Sequence, residues 1–234
     1  MLDCICVETM RRSDAQTIKH FVPSLELMHR AAMGVFRAVN WTGRIAIVVG
    51  SGNNGGDGFA LACILRRHGM DCAIFTVSQR LSADSAHYAA QASELGVPMQ
   101  PFTAGCLDGF QIIVDCLLGT GFQGALRENY RTAIQEINES GARVISVDIN
   151  SGMNGDTGDG ELIVRSHLTV TIGFVKNGLV TANAGRYMSR LVCADIGIRL
   201  SQEENKLCAA NEYHPKAIPC PTWLDTNVIK TYDE

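Results

Sequence analysis

The chain has 234 residues, 46% of them hydrophobic, and a formal net charge of −4. That length suits one sizeable α/β domain, and the mild acidity leaves no basic footprint for nucleic acid. No apolar run approaches the ~20 residues that cross a bilayer. The opening MLDCICVETMRRSD has its basic pair after the apolar part, unlike a secretory signal. Nine cysteines, an odd number with no C-x-x-C pair, argue against zinc. Cys63, Cys116 and Cys193 lie among apolar neighbours, as buried reduced thiols do, which points to a reducing compartment and a cytoplasmic location.

In chain order, residues 1–40 are expected to be helical. Within them Ser24 to Val39 is amphipathic, with Leu25, Met28, Ala32, Val35 and Val39 near one face. That face packs on the sheet edge or on a second subunit. Strands are predicted at Ile45–Val49, Cys72–Val77, Gln111–Asp115, Arg143–Asp148, Leu168–Gly173 and Leu191–Ala194. None alternates apolar with polar, the pattern of strands buried on both faces. Helices are predicted between them at Phe59–His68, Ala83–Leu95 and Leu126–Ser140. Each is followed by a glycine in the left-handed cap position: Gly69, Gly96 and Gly141. Ser82 is a candidate N-cap. Strand–helix–strand repetition at this spacing means parallel pairing: an α/β, three-layer αβα sandwich with a Rossmann-like, mostly parallel sheet. One domain spans 1–234. Residues 200–234, with three of the six prolines between Pro215 and Pro221, are expected to be an irregular tail.

Ligands of open parallel sheets bind beyond the carboxyl ends of the strands, and three such ends carry unusual polar residues. After the first strand, Gly50, Gly52 and Gly55 satisfy G-x-G-x-x-G. A dehydrogenase would also need an acid about 20 residues on, at the end of the next strand, to hold ribose. That strand ends Phe75-Thr76-Val77-Ser78-Gln79 instead. No G-K-[ST] follows the loop, which disfavours a Walker NTPase. Gly52, Gly55, Gly56 and Gly58 allow close backbone approach to a phosphate. Asp57 is either the cap of the following helix or a contact to ligand hydroxyls. Asn53 and Asn54 are either turn formers or carbonyl donors to a hard cation or ribose. The second end is IIVDCLLGTGFQGAL and the third VDINSGMNGDTG, where Asp115 and Asp148 close their strands. A carboxylate there is costly unless paired, hydrogen-bonded or cation-bound. Two of them beside a glycine loop, with Ser151 behind, mark a crevice whose oxygen donors select K⁺, Na⁺ or Mg²⁺.

Together GSGNNGGDGFALA, VDCLLGTGFQGAL, VDINSGMNGDTG, VKNGLV and CADIGI resemble the NAD(P)HX epimerase family, also called the YjeF N-terminal domain. The similarity runs in order from about residue 8 to 198. It implies interconversion of the R and S forms of hydrated NADH or NADPH, a nicotinamide nucleotide repair reaction. It further implies one K⁺ per subunit held by Asn54, Asp115 and Ser151, and Asp148 as catalytic acid/base and substrate contact. Other implied substrate contacts are Asn53, Asn54, Gly55, Gly56, Asp57, Gly119, Thr120, Gly121, Phe122, Gln123, Gly124 and Ala125. A homodimer is implied too, as is a functional link to a separate dehydratase, for which this chain is too short. The chemistry asks for one group that gives and takes a proton, with burial raising its pKa toward neutrality. Asp148 is the candidate.

The chain departs from the family pattern at Asn150, where the motif has proline. His29-Arg30 replaces an acid and an amide, a change expected to alter nucleotide or partner contacts near the crevice. His29 is expected at a surface or interface. Lys176 is expected either to touch a phosphate or simply to be solvated on a loop. The competing reading is a non-catalytic nucleotide-binding or interaction module that keeps the crevice.

Overall fold

The computed structural model describes residues 4–200 and 221–232. Its helices are α1 (Val7–His20), α2 (Ser24–Ala38), α3 (Asn53–Arg67), α4 (Ala83–Glu94) and α5 (Glu128–Glu139). The strands are β1 (Cys4–Ile5), β2 (Ile45–Val49), β3 (Cys72–Thr76), β4 (Met99–Pro101), β5 (Ile112–Cys116), β6 (Arg143–Val147), β7 (Leu168–Ile172), β8 (Val175–Lys176), β9 (Leu191–Asp195) and β10 (Leu224–Lys230). Eight of them form one sheet in the order β10-β9-β7-β6-β5-β2-β3-β4, with every neighbouring pair parallel. The predicted α/β sandwich is therefore present. All six predicted strands fall within one residue of their observed ends.

Side chains explain the missing alternation. Along β2, Ile45, Ile47 and Val49 join the core beneath α2, α3 and α4. Ala46 and Val48 point the other way, into the core that α5 closes with Tyr130, Ala133, Ile134 and Ile137. All five β2 residues are fully buried. The helix stops follow the predicted chemistry: Gly69, Gly96 and Gly141 take positive φ of 74°, 69° and 67°, and the Ser82 side chain caps α4 by accepting from Ser85 N.

Two boundaries differ from expectation. α3 begins at Asn53, six residues before Phe59, inside the glycine loop. Glycine's poor helix propensity is overridden by close packing, since Gly55 lies where a side chain would strike the Gly50 carbonyl oxygen at 2.3 Å. The C-terminal region is not irregular throughout: β10 adds a parallel edge strand to β9. Arg37 donates to Lys230 O at 2.6 Å, and the Arg30 guanidinium covers the Tyr232 ring. Pro215, Pro219 and the rest of residues 201–220 lie outside the described residues. Cys63, Cys72, Cys106, Cys116 and Cys193 are free thiols, and no described helix is long and apolar enough to cross a membrane.

Candidate active site

The sheet is wound from its middle. From β2 the chain moves out to β4, then returns to β5 and continues toward β10. The reversal leaves the carboxyl ends of β2 and β5 side by side, the position at which open α/β sheets bind ligands. The two ends nearly touch: a Cβ on Gly50 would lie 1.9 Å from the Leu117 carbonyl oxygen. Tyr130 of α5 holds the loop after β2, its hydroxyl accepting from Ser51 N at 3.2 Å and donating to Ser51 Oγ at 3.3 Å. Above this point opens a cavity of about 820 Å³.

Most of the expected substrate contacts border it: Asn53, Asn54 and Asp57 from α3, Gly119 to Gln123 and Ala125 from the loop after β5, and Asp148 after β6. Gly55 and Gly56 do not; behind them stand the Gly50 carbonyl and the Met28 side chain. Gly124 borders a smaller neighbouring cavity of about 250 Å³ instead. Asp57 is not a helix cap. Gly52 holds that position, and Asp57 occupies the second turn of α3, facing the cavity. Burial pushes its carboxyl well above the ordinary carboxylate range, reinforced by the negative charges of Asp148 and Asp14 and opposed by Lys176. Asn53 and Asn54 belong to the first helical turn and take no left-handed conformation.

Of the three expected cation ligands, Asp115 and Ser151 meet directly, and Asn54, on the cavity wall, is linked to them through Leu118. Asp115 is fully buried. One of its oxygens accepts from Ser151 Oγ at 2.5 Å and Leu117 N at 3.2 Å, the other from Ser146 Oγ at 2.9 Å and Ser151 N at 3.0 Å. Burial raises its carboxyl above the usual range, with these hydrogen bonds pulling the other way, led by Ser151 Oγ. Leu118 ties the set together: its N donates to Ser151 Oγ at 2.9 Å, and its carbonyl accepts from Asn54 Nδ2 at 2.9 Å. The remaining Asn54 oxygen, Oδ1, is buried without a hydrogen-bond partner. A buried carbonyl-type oxygen left bare costs about 1–3 kcal/mol. Its need for a partner fits a hard cation.

Asp148 is different. At φ 66° it is the one described non-glycine residue in the left-handed region, a conformation asparagine and aspartate tolerate better than most residues. Its N–H still completes the β6–β7 ladder by donating to Val170 O at 2.8 Å. The side chain turns into the cavity and is ion-paired with Lys176. That pairing was not foreseen. Lys176 is neither solvated nor free for a phosphate: it is fully buried, and its ammonium also donates to Thr171 Oγ1 at 3.0 Å and Ile172 O at 2.7 Å. The short β1–β8 ladder, pairing Ile5 with Lys176, fixes its backbone. Asp148 is thus half of an ion pair, one of the ways in which a strand-end carboxylate was expected to be satisfied, with Lys176 as the unforeseen partner.

α1 is the other contributor missed from sequence. Val7, Met10, Arg11, Asp14 and Ile18, spaced as one helical face, all border the cavity. The spacing of VETMRRSDAQTI carried that signal. The two departures from the family pattern have structural answers. Asn150 is buried, and its amide donates to Val164 O at 2.9 Å, Ser166 Oγ at 3.0 Å and Tyr187 O at 3.1 Å, while Oδ1 accepts from Thr169 Oγ1 at 2.6 Å. Four hydrogen bonds hold the turn where a proline ring would have stiffened it. Arg30 pairs with Glu26 at 2.8 Å and donates to Ile196 O at 3.3 Å, so it secures β9 and the C-terminal segment. Neither His29 nor Arg30 borders the cavity.

A glycine-lined crevice at the switch point of a parallel sheet, with its polar groups gathered from several strand ends, defines a Rossmann-like protein built to receive a nucleotide. The family model described as "YjeF-related protein N-terminus" matches residues 24–178. A protein of Limosilactobacillus fermentum named NAD(P)H-hydrate epimerase is 35% identical over 201 residues, covering 82% of this chain and 95% of that one. One of the same name from Rhodopirellula baltica is 34% identical, covering 82% and 84%. A Coxiella burnetii protein named bifunctional NAD(P)H-hydrate repair enzyme Nnr is 32% identical, and the match spans 40% of its length. The solved structure of yeast YNL200c superposes with a TM-score of 0.73 at 20% identity, covering 83% of this chain and 89% of that one, and shares the fold. The chain belongs to the YjeF N-terminal family.

Proposed function

We infer that this chain is an NAD(P)H-hydrate epimerase: it interconverts the R and S hydrates of NADH or NADPH. One observation carries the reading. Asn53, Asn54, Asp57, the loop after β5 and the Asp148–Lys176 pair open onto one cavity, in a chain that matches proteins named for this activity along nearly their whole length.

The reacting carbon of the hydrate bears a hydroxyl and the ring nitrogen. Its inversion needs proton transfer at that hydroxyl, and Asp148 is the side chain placed to take part. The N-termini of α3 and α5 carry no side-chain cap and border the cavity, with Arg127 at the start of α5. Their free N–H groups suit the pyrophosphate, which directs the hydrated ring toward Asp148. A K⁺ ion would give Asn54 Oδ1 the partner it lacks, and Ser151 and Asp115, hydrogen-bonded to each other, would exchange that bond for the ion. When bound it supplies fixed positive charge beside the nucleotide. Two copies per assembly, a separate dehydratase acting on the S form and a reducing, cytoplasmic setting complete the proposal. The bifunctional relatives and the free thiols support the last two.

The test starts from pure R hydrate and follows formation of the S hydrate with K⁺, with Na⁺ and with neither. Conversion that depends on the chain and is strongest in K⁺ is expected. A chain that binds dinucleotide but leaves the R:S ratio to the spontaneous rate overturns the reading.

A further inference from the structure

α1 sends Asp14 into the same cavity. Asp14 is partly buried, and no described side chain or backbone group donates a hydrogen bond to it. It is close enough to feel the charges of Asp148 and Lys176, and Asp57 in turn feels Asp14. Asp14, Asp57 and Asp148 thus approach one volume from three separate elements, with one buried ammonium among them. Asn54, more than nine-tenths buried and with its Oδ1 without a partner, lines the same wall. A scaffold gains nothing from leaving two carboxyl groups unpartnered opposite an ion pair; such groups are kept where a ligand or a proton has to be met.

We propose that Asp14 is a further catalytic residue, touching the hydrated ring from the α1 side and working with Asp148 as a two-carboxyl proton-transfer pair. The proposal rests on the epimerase reading. Asp14 and Asp148 stand in unlike surroundings: Asp148 is held against Lys176, while Asp14 has no hydrogen-bond donor among the described residues, and burial, aided by the Asp148 charge, raises it above the ordinary carboxylate range. Two carboxyls in unlike surroundings, one against an ammonium and one without a partner, can share the acid and base steps. In one direction, the Asp14 carboxyl gives its proton to the substrate hydroxyl. The C–O bond breaks, its electron pair leaves on oxygen as water, and the ring nitrogen shares its lone pair with the carbon. Water then adds to the opposite face, the nitrogen recovers its pair, and the surplus proton passes to Asp148. One water is released and one consumed, one centre is inverted, and one proton has moved from Asp14 to Asp148. The reverse turnover, or exchange with solvent, returns it.

Asp14→Asn keeps size and hydrogen bonding but has no proton to give. For this variant we expect kcat to fall about 100-fold or more, with KM and NADP⁺ binding within about threefold of the unmodified chain. Asp14→Glu should recover part of the loss. If Asp14→Asn folds poorly, Asp14→Ser is read the same way. A variant that keeps kcat within about threefold, or loses activity only through KM, overturns the proposal. An unmodified chain that shows no epimerisation overturns the underlying reading and this proposal with it, and is told apart by that control alone.

Discussion

Asp115 and Asp148 look alike in the sequence: each closes a buried parallel strand and each is followed by a glycine-bearing loop. Folded, they have little in common. Asp115 is sealed in with ordinary backbone geometry, four donors saturating its two oxygens. Asp148 bends into the left-handed region, pairs with a lysine from a later strand and faces the cavity. A strand-end carboxylate is a costly group that the fold has to satisfy. Asp115 is satisfied from behind, by the turn it organises. Asp148 is satisfied from one side, which leaves the other for a substrate.

Substitutions can break this contrast. The largest effect is expected from Asp148→Asn. Asparagine tolerates φ 66°, so the fold should persist while the rate of R-to-S conversion falls about 10²- to 10⁴-fold. Near-normal turnover in a folded, ligand-binding variant would remove Asp148 from the chemistry.

Lys176→Met comes next. It leaves a largely buried carboxylate without its cation, at a cost of about 3 kcal/mol or more, seen as a lower urea midpoint. An unchanged midpoint would mean that the pair contributes nothing.

Asp115→Asn replaces one acceptor oxygen by an amide NH2, which then faces two donors: Ser151 Oγ and Leu117 N, or Ser146 Oγ and Ser151 N. We expect a loss of about 1–3 kcal/mol and disappearance of any K⁺ preference in the rate. A variant that still responds to K⁺ would show that Asp115 is turn scaffold only, and the contrast between the two aspartates would become sharper.

Asp57→Asn should have the smallest effect, and it shows in pH dependence. A carboxyl raised on folding binds its proton more tightly folded than unfolded. Its penalty is therefore absent below the ordinary carboxylate range and grows as pH rises through and above that range. The unmodified chain should lose melting temperature between pH 5 and pH 8 more steeply than Asp57→Asn. Parallel curves would deny the burial of Asp57.

The sequence by itself determined the six inner strands of the main sheet, the helix stops at Gly69, Gly96 and Gly141, and the segments that meet at the cavity. All of these are written locally, in two-sided apolar runs and in turn chemistry that needs a residue with no Cβ. It did not place the start of α3, because glycine propensity argues against a helix that only packing makes favourable. Nor does the local pattern distinguish Asp115 from Asp148; only the family resemblance gave them different roles. Lys176 reads locally as a lysine on a loop; it became a buried partner of Asp148 because β8 is held by a ladder to residues 4 and 5, about 170 positions away in the chain. The last strand, β10, was hidden by the proline-rich stretch before it. What only the tertiary structure decided is which polar groups face one another. Solvation and charge depend on neighbours brought by distant pairing, and no local pattern encodes them.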